Sequence, residues 1–63
     1  MMKINVLEKV KDFPFYGYRK VTSYNDVNFI SAEQHNGIEF FCLHLEGGWT
    51  ATYNTVDYIM EFL

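Results

Sequence analysis

The chain is poor in the residues that small proteins use as staples and as punctuation. It has one cysteine, one proline and four glycines in 63 residues. A lone Cys42 cannot close an intrachain disulfide, which fits a reducing compartment. Cys42, His35 and His44 reproduce none of the paired spacings of zinc sites, and no cofactor motif is present, so neither a metal nor a cofactor is expected. No apolar run approaches the ~18 residues of a membrane span. The N-terminus lacks the apolar core of a secretory signal. Together these absences predict a soluble, cytoplasmic protein. Basic residues are also missing over most of the chain: Lys3, Lys9, Lys11, Arg19 and Lys20 are all five of them. With Glu8 and Asp12 the first twenty positions carry +3 (five minus two), and the six acids that follow make the rest −6, for a total of −3. Phosphate neutralisation needs a basic face, and only the N-terminal third offers one, so nucleic acid is an unlikely partner.

What the chain has in quantity is aromatic side chains. Six Phe, five Tyr and one Trp make twelve. A chain of this length makes one domain, 1–63, and buries only ~60% of the surface it exposes when unfolded. Oligomerisation is the usual remedy when disulfides and metals are missing.

The turn chemistry divides the chain into elements. Asn5 with Glu8 forms a capping box for a short N-terminal helix that presents Val6, Leu7 and Val10, with Phe13 extending the face. A strand from Lys3 to Leu7 is the competing reading. Pro14 ends the helix. Strands are predicted at Phe15–Ser23, Val27–Gln34, Ile38–Leu45 and Trp49–Tyr53. Turns at Asn25-Asp26, Asn36-Gly37 and Gly47-Gly48 separate them. Asn54 with Asp57 caps a C-terminal amphipathic helix carrying Val56, Ile59, Met60 and Leu63 on one stripe. The expected fold class is therefore α+β: a four-stranded antiparallel meander with a helix at each end, dimeric.

Register follows from the turns. A two-residue loop at Asn36-Gly37 places Ala32 opposite Phe41, Ile30 opposite Leu43, Ser31 opposite Cys42 and Phe29 opposite His44. A two-residue loop at Gly47-Gly48 would place Leu43 by Thr52 and Cys42 by Tyr53. One sheet face then holds Ile30, Ala32, Phe41, Leu43 and Leu45. The other holds Phe29, Ile38, Phe40, Cys42, Ala51, Tyr53 and Trp49. Neither is polar enough to be left wet. Two short helices cover one face, and a second copy is expected to cover the other through Phe29, Phe40, Cys42 and Tyr53.

Candidate chemistry is sparse. Cys42 and His44 share a strand face and could begin a nucleophilic dyad, but no orienting group or oxyanion donor accompanies them. A buried thiol beside a hydrogen-bonded histidine is the favoured reading, and no catalytic residue is assigned. Tyr16, Tyr18, Arg19 and Trp49 are the expected partner contacts, because aromatic and Arg side chains dominate binding hot spots. The same Tyr-Gly-Tyr-Arg-Lys run could stack single-stranded bases, and the acidic remainder could imitate nucleic acid. A pocket for a small molecule at a dimer seam, lined by Trp49, Tyr53 and His44, is the main alternative.

Brevity, the Asn36-Gly37 and Gly47-Gly48 meander, the aromatic surplus and the lack of catalytic groups give a chain that resembles small accessory proteins of bacterial viruses, especially anti-defence inhibitors. The resemblance implies a non-enzymatic module that binds and blocks a host protein in the host cytoplasm. It carries no diagnostic motif and transfers no functional residue.

Overall fold

The computed structural model describes every residue except Phe13 and Phe15. Five strands form one antiparallel sheet: β1 (Met2–Val10), β2 (Gly17–His35), β3 (Ile38–Leu45), β4 (Thr50–Asn54) and β5 (Tyr58–Phe62). Their order is β4-β3-β2-β1-β5. The only helical turn among the described residues is a 3-10 turn at Glu46–Gly48. The α+β expectation is therefore wrong, and both predicted helices are strands. The proposed place of Phe13 on the helix face, and of Phe15 at a strand start, lie outside the described residues.

Each helix signal has a use in the sheet. Asn5 does not cap toward Glu8. Its amide donates to Glu61 Oε1 at 2.8 Å on one neighbouring strand, and its oxygen accepts from the Ser23 hydroxyl on the other. Glu8 instead meets Arg19 Nη2 at 2.6 Å. The alternation of Met2, Ile4 and Val6 inside with Lys3, Asn5 and Lys9 outside has period two, which suits a strand. At the other end Asn54 does cap: its Oδ1 accepts from the Asp57 amide at 2.8 Å. The cap closes one turn and the chain then extends as β5 along β1. A helix of about eight residues is marginal by itself, whereas β5 satisfies an otherwise open edge of β1.

β2 is 19 residues long and is shared by two layers. Its first half pairs with β1 from Gly17 to Val27, and its second half pairs with β3 from Val27 to His35. Asn25-Asp26 does not turn the chain. Register shifts in β2 fall around it: between the partners of Val6 and Leu7, between those of Met2 and Ile4, and between Val27 and Phe29. In each case β2 supplies the extra residue, and such bulges bend and twist the strand that carries them.

The bend is large. Lys9 pairs with Tyr18 and Glu39 with Gln34, so on a straight β2 these pairs would stand about 50 Å apart. Yet the Lys9 amide donates to Asp57 O at 2.8 Å, and the Thr55 amide donates to Glu39 O at 2.9 Å. Two residues of chain span at most about 7 Å. The two ends of β2 must therefore come together. The sheet folds over itself, with β5-β1-β2 as one layer and β2-β3-β4 as the other. The shortest dimension, 14 Å, accommodates these two layers and no third.

The core lies between the layers. Ile4 and Val6 come from the first, Phe41 and Leu43 from the second, and Val27 from the hinge. Tyr24, Ile30, Leu45, Ala51, Tyr53, Tyr58 and Met60 pack around them. The sheet thus covers its own inner face, which removes the need for helices there.

The hairpin at Asn36-Gly37 has positive φ at both residues, 51° and 78°, and the predicted pairs Ala32–Phe41, Ile30–Leu43, Ser31–Cys42 and Phe29–His44 all form. The next connection slips by one. Leu45 donates to Trp49 O at 2.7 Å across a three-residue loop, with Gly47 and Gly48 at φ 84° and 85°. The pairs are Leu43–Ala51, Cys42–Thr52 and Phe41–Tyr53. A slip of one residue exchanges the faces. Ala51 and Tyr53 therefore lie on the inner face, not on the outer one.

Candidate functional site

The outer face of the second layer carries two aromatic rings braced by imidazoles. Phe29 on β2 stacks on His44 of β3 with centroids 4.0 Å apart and planes 9° from parallel. His44 Nε2 lies 2.8 Å from Ser31 Oγ on the adjacent strand. Toward the Asn36-Gly37 hairpin, the His35 ring meets Phe40 edge-on at 5.8 Å. Phe29 is 56% exposed and Ile38, opposite His35, is 43% exposed. The register makes this row: Phe29 and His44 form one pair, and His35 and Ile38 another on the same face.

Cys42 sits in the same face but is closed off, 4% exposed, between Ser31 and Thr52. The Thr52 hydroxyl donates to its Sγ at 3.5 Å. The hydrogen-bond partner of His44 is thus Ser31, while that of Cys42 is Thr52. Among the described residues no group of three His, Cys, Asp or Glu is placed to hold a metal ion.

The residues expected to cover the second face separate. Phe29, Phe40 and Cys42 share the outer face, and Tyr53 turns inward. There it links the layers: its hydroxyl is 2.6 Å from that of Tyr24, and its ring meets Phe41 at 5.5 Å and Tyr58 at 5.2 Å. Within one chain Trp49, Tyr53 and His44 do not line a common pocket, because His44 faces out, Tyr53 faces in, and Trp49 stands exposed against Gly47 at the β3–β4 connection.

Tyr16 just before β2 and Tyr18 and Arg19 at its start are exposed. Trp49 follows the turn at Glu46–Gly48, whose Glu46 carboxylate bonds Asn28 near the middle of β2 at 3.4 Å. Tyr18 and Asn28 are ten residues apart on that strand, so the four expected contacts make two places rather than one. The basic end also carries its own counter-ions. Its cleft of about 290 Å³ is lined by Lys9, Lys11 and Arg19 together with Glu8, Asp12 and Asp57. Arg19 is paired with Glu8 and Lys11 with Asp57, so the three cations of the cleft share it with three carboxylates.

Burial, and then the hydrogen bond and nearby ring charges of Tyr24 and Tyr58, push the Tyr53 hydroxyl above the ordinary tyrosine range. An unfolded tyrosine ionises near pH 10, and the folded form keeps its proton beyond that. The stability linked to Tyr53 is therefore complete below about pH 10 and is lost as pH rises further. The melting temperature is expected to fall in alkali above that point, while tyrosinate absorbance rises. A Tyr53→Phe chain should show a shallower alkaline fall; an identical slope in both chains would remove Tyr53 as the cause.

No protein-family model matches the chain, and neither a curated protein nor a solved structure matches it. No helix among the described residues is long and apolar enough to cross a membrane.

Proposed function

We propose that this chain is a non-enzymatic protein-binding module that blocks or recruits its partner by contact, in the manner of the small phage inhibitors it resembles. The observation that supports the reading is the outer face of the β2–β3 hairpin. Phe29 stays at the surface and Phe40 half-buried beside it although the fold has already closed its core, and each ring is held by a histidine on the neighbouring strand. Rings fixed before contact lose little entropy on binding, which suits them as anchors. A sheet face without an oxyanion site or a charged cleft suits binding rather than turnover.

The test uses the immobilised chain and a Phe29→Ser/Ile38→Ser variant, both positions being exposed enough to spare the fold. The wild-type chain is expected to retain a protein partner in stoichiometric amount, and the variant to lose it by about thirtyfold or more in affinity. Equal retention by the variant, or loss only when Tyr16, Tyr18, Arg19 or Trp49 is changed to alanine, would reject this face as the docking surface.

A further inference from the structure

The sheet has two open edges, β4 and β5. The ladders show which groups each one leaves free. Lys9 bonds to Asp57, and Leu63 to Lys3, so the odd-numbered residues of the β5 segment turn their backbone groups toward β1. Tyr58, Met60 and Phe62 turn theirs outward. Three amides and three carbonyls are thus presented in a row.

Proteins guard such rows with lysine, proline, a bulge or a covering loop. β5 reads Tyr-Ile-Met-Glu-Phe and pairs with β1 without a register shift. Its one charge, Glu61, is held by the Asn5 amide. Phe62, 61% exposed, stands beside this open row. A cleft of about 350 Å³ adjoins Met60 and is lined also by Ala32, Phe40, Phe41 and Thr55. No residue of β1 lines it; Glu33, Gln34 and Glu39 of β2 and β3 border it as well.

We propose that β5 pairs antiparallel with β5 of a second copy, about a two-fold axis at Met60. The occupant follows from self-complementarity. The two-fold sets Tyr58 opposite the partner's Phe62, and Phe62 opposite the partner's Tyr58, with Ile59 opposite the partner's Glu61. No like charges face each other, and cross-strand aromatic pairs are favourable. The three amides of each strand find the three carbonyls of the other. The partner's Phe62 arrives diagonal to Met60, at the mouth of the apolar cleft, which has room for its ring. The cleft and the exposed phenyl group thereby complete each other, and each cleft is filled only by the other copy. This differs from covering the sheet by its Phe29 face: Phe29 and Ile38 stay free for the partner proposed above, and only Phe40 borders both places.

Light scattering and amide hydrogen exchange test the pairing on the whole chain. The expected mass is near twice 7.5 kDa at high concentration. The Tyr58, Met60 and Phe62 amides should exchange slowly, and faster on dilution. Phe62→Lys should weaken association by about thirtyfold or more. Phe62→Pro removes an outward amide, leaves the β1 ladder intact, and should do the same. Thr52→Pro on the β4 edge should leave the dimer unchanged. A mass of one chain at every concentration, with those three amides exchanging freely, overturns the proposal. So does a dimer that protects β4 and not β5. Should either Phe62 variant fail to fold, the exchange pattern of the wild-type chain decides.

Discussion

Replacing Tyr53 by alanine is expected to unfold most of the chain near physiological temperature. Its ring touches Phe41 within its own layer and Tyr24 and Tyr58 in the other. Truncating a packed aromatic costs about 3–5 kcal/mol. A 63-residue domain has on the order of 3–9 kcal/mol to lose. With an unfolding entropy of about 0.13 kcal/mol/K for this length, the melting temperature should fall by about 25 °C or more. A Tyr53→Phe chain separates the hydroxyl from the ring. It strands the Tyr24 hydroxyl, part-buried at 2.6 Å from its partner, at a cost of about 1–3 kcal/mol. Removing both hydroxyls should recover part of that loss. Calorimetry on Tyr53→Phe, Tyr24→Phe and the double variant gives the coupling directly; strictly additive losses would mean that the two tyrosines do not act as a pair.

Leu43→Ala and Leu63→Ala form the second contrast, and they distinguish the sheet from the helical reading. Leu43 is wholly buried between the layers, and its truncation should cost about 2–5 kcal/mol. Leu63 would complete a core stripe on a C-terminal helix. In the sheet it is 72% exposed beyond β5, and its truncation should move stability by less than about 0.5 kcal/mol. Urea titration of both variants measures the difference. A large loss for Leu63→Ala in the monomeric chain would contradict the position of β5.

The candidate docking face was legible in the sequence as far as one hairpin. Asn36-Gly37 set the pairing of Phe29 with His44 and of Ser31 with Cys42, because few residues other than this pair accept two successive positive φ values. His35 bracing Phe40 could have been read from the same register, since the two lie diagonal on one face. Tyr53 could not be placed by the same means. Gly47-Gly48 permits a two-residue or a three-residue loop, and the choice reverses every side chain of β4.

The amino-acid sequence by itself determined the local events: the Asn36-Gly37 turn, the Asn54 cap onto Asp57, the central hairpin register and the division of charge along the chain. Tertiary structure alone decided what those events serve. The Asn54 cap begins a strand because β1 offers it an open ladder, and the Asn5 box opens sideways because Ser23 and Glu61 flank it. Asn25-Asp26 becomes part of a bent strand because β1 and β3 pair with its two halves. A short segment gains about as little from a marginal helix as from an isolated strand. The difference is supplied by partners distant in the chain, and no local pattern records them.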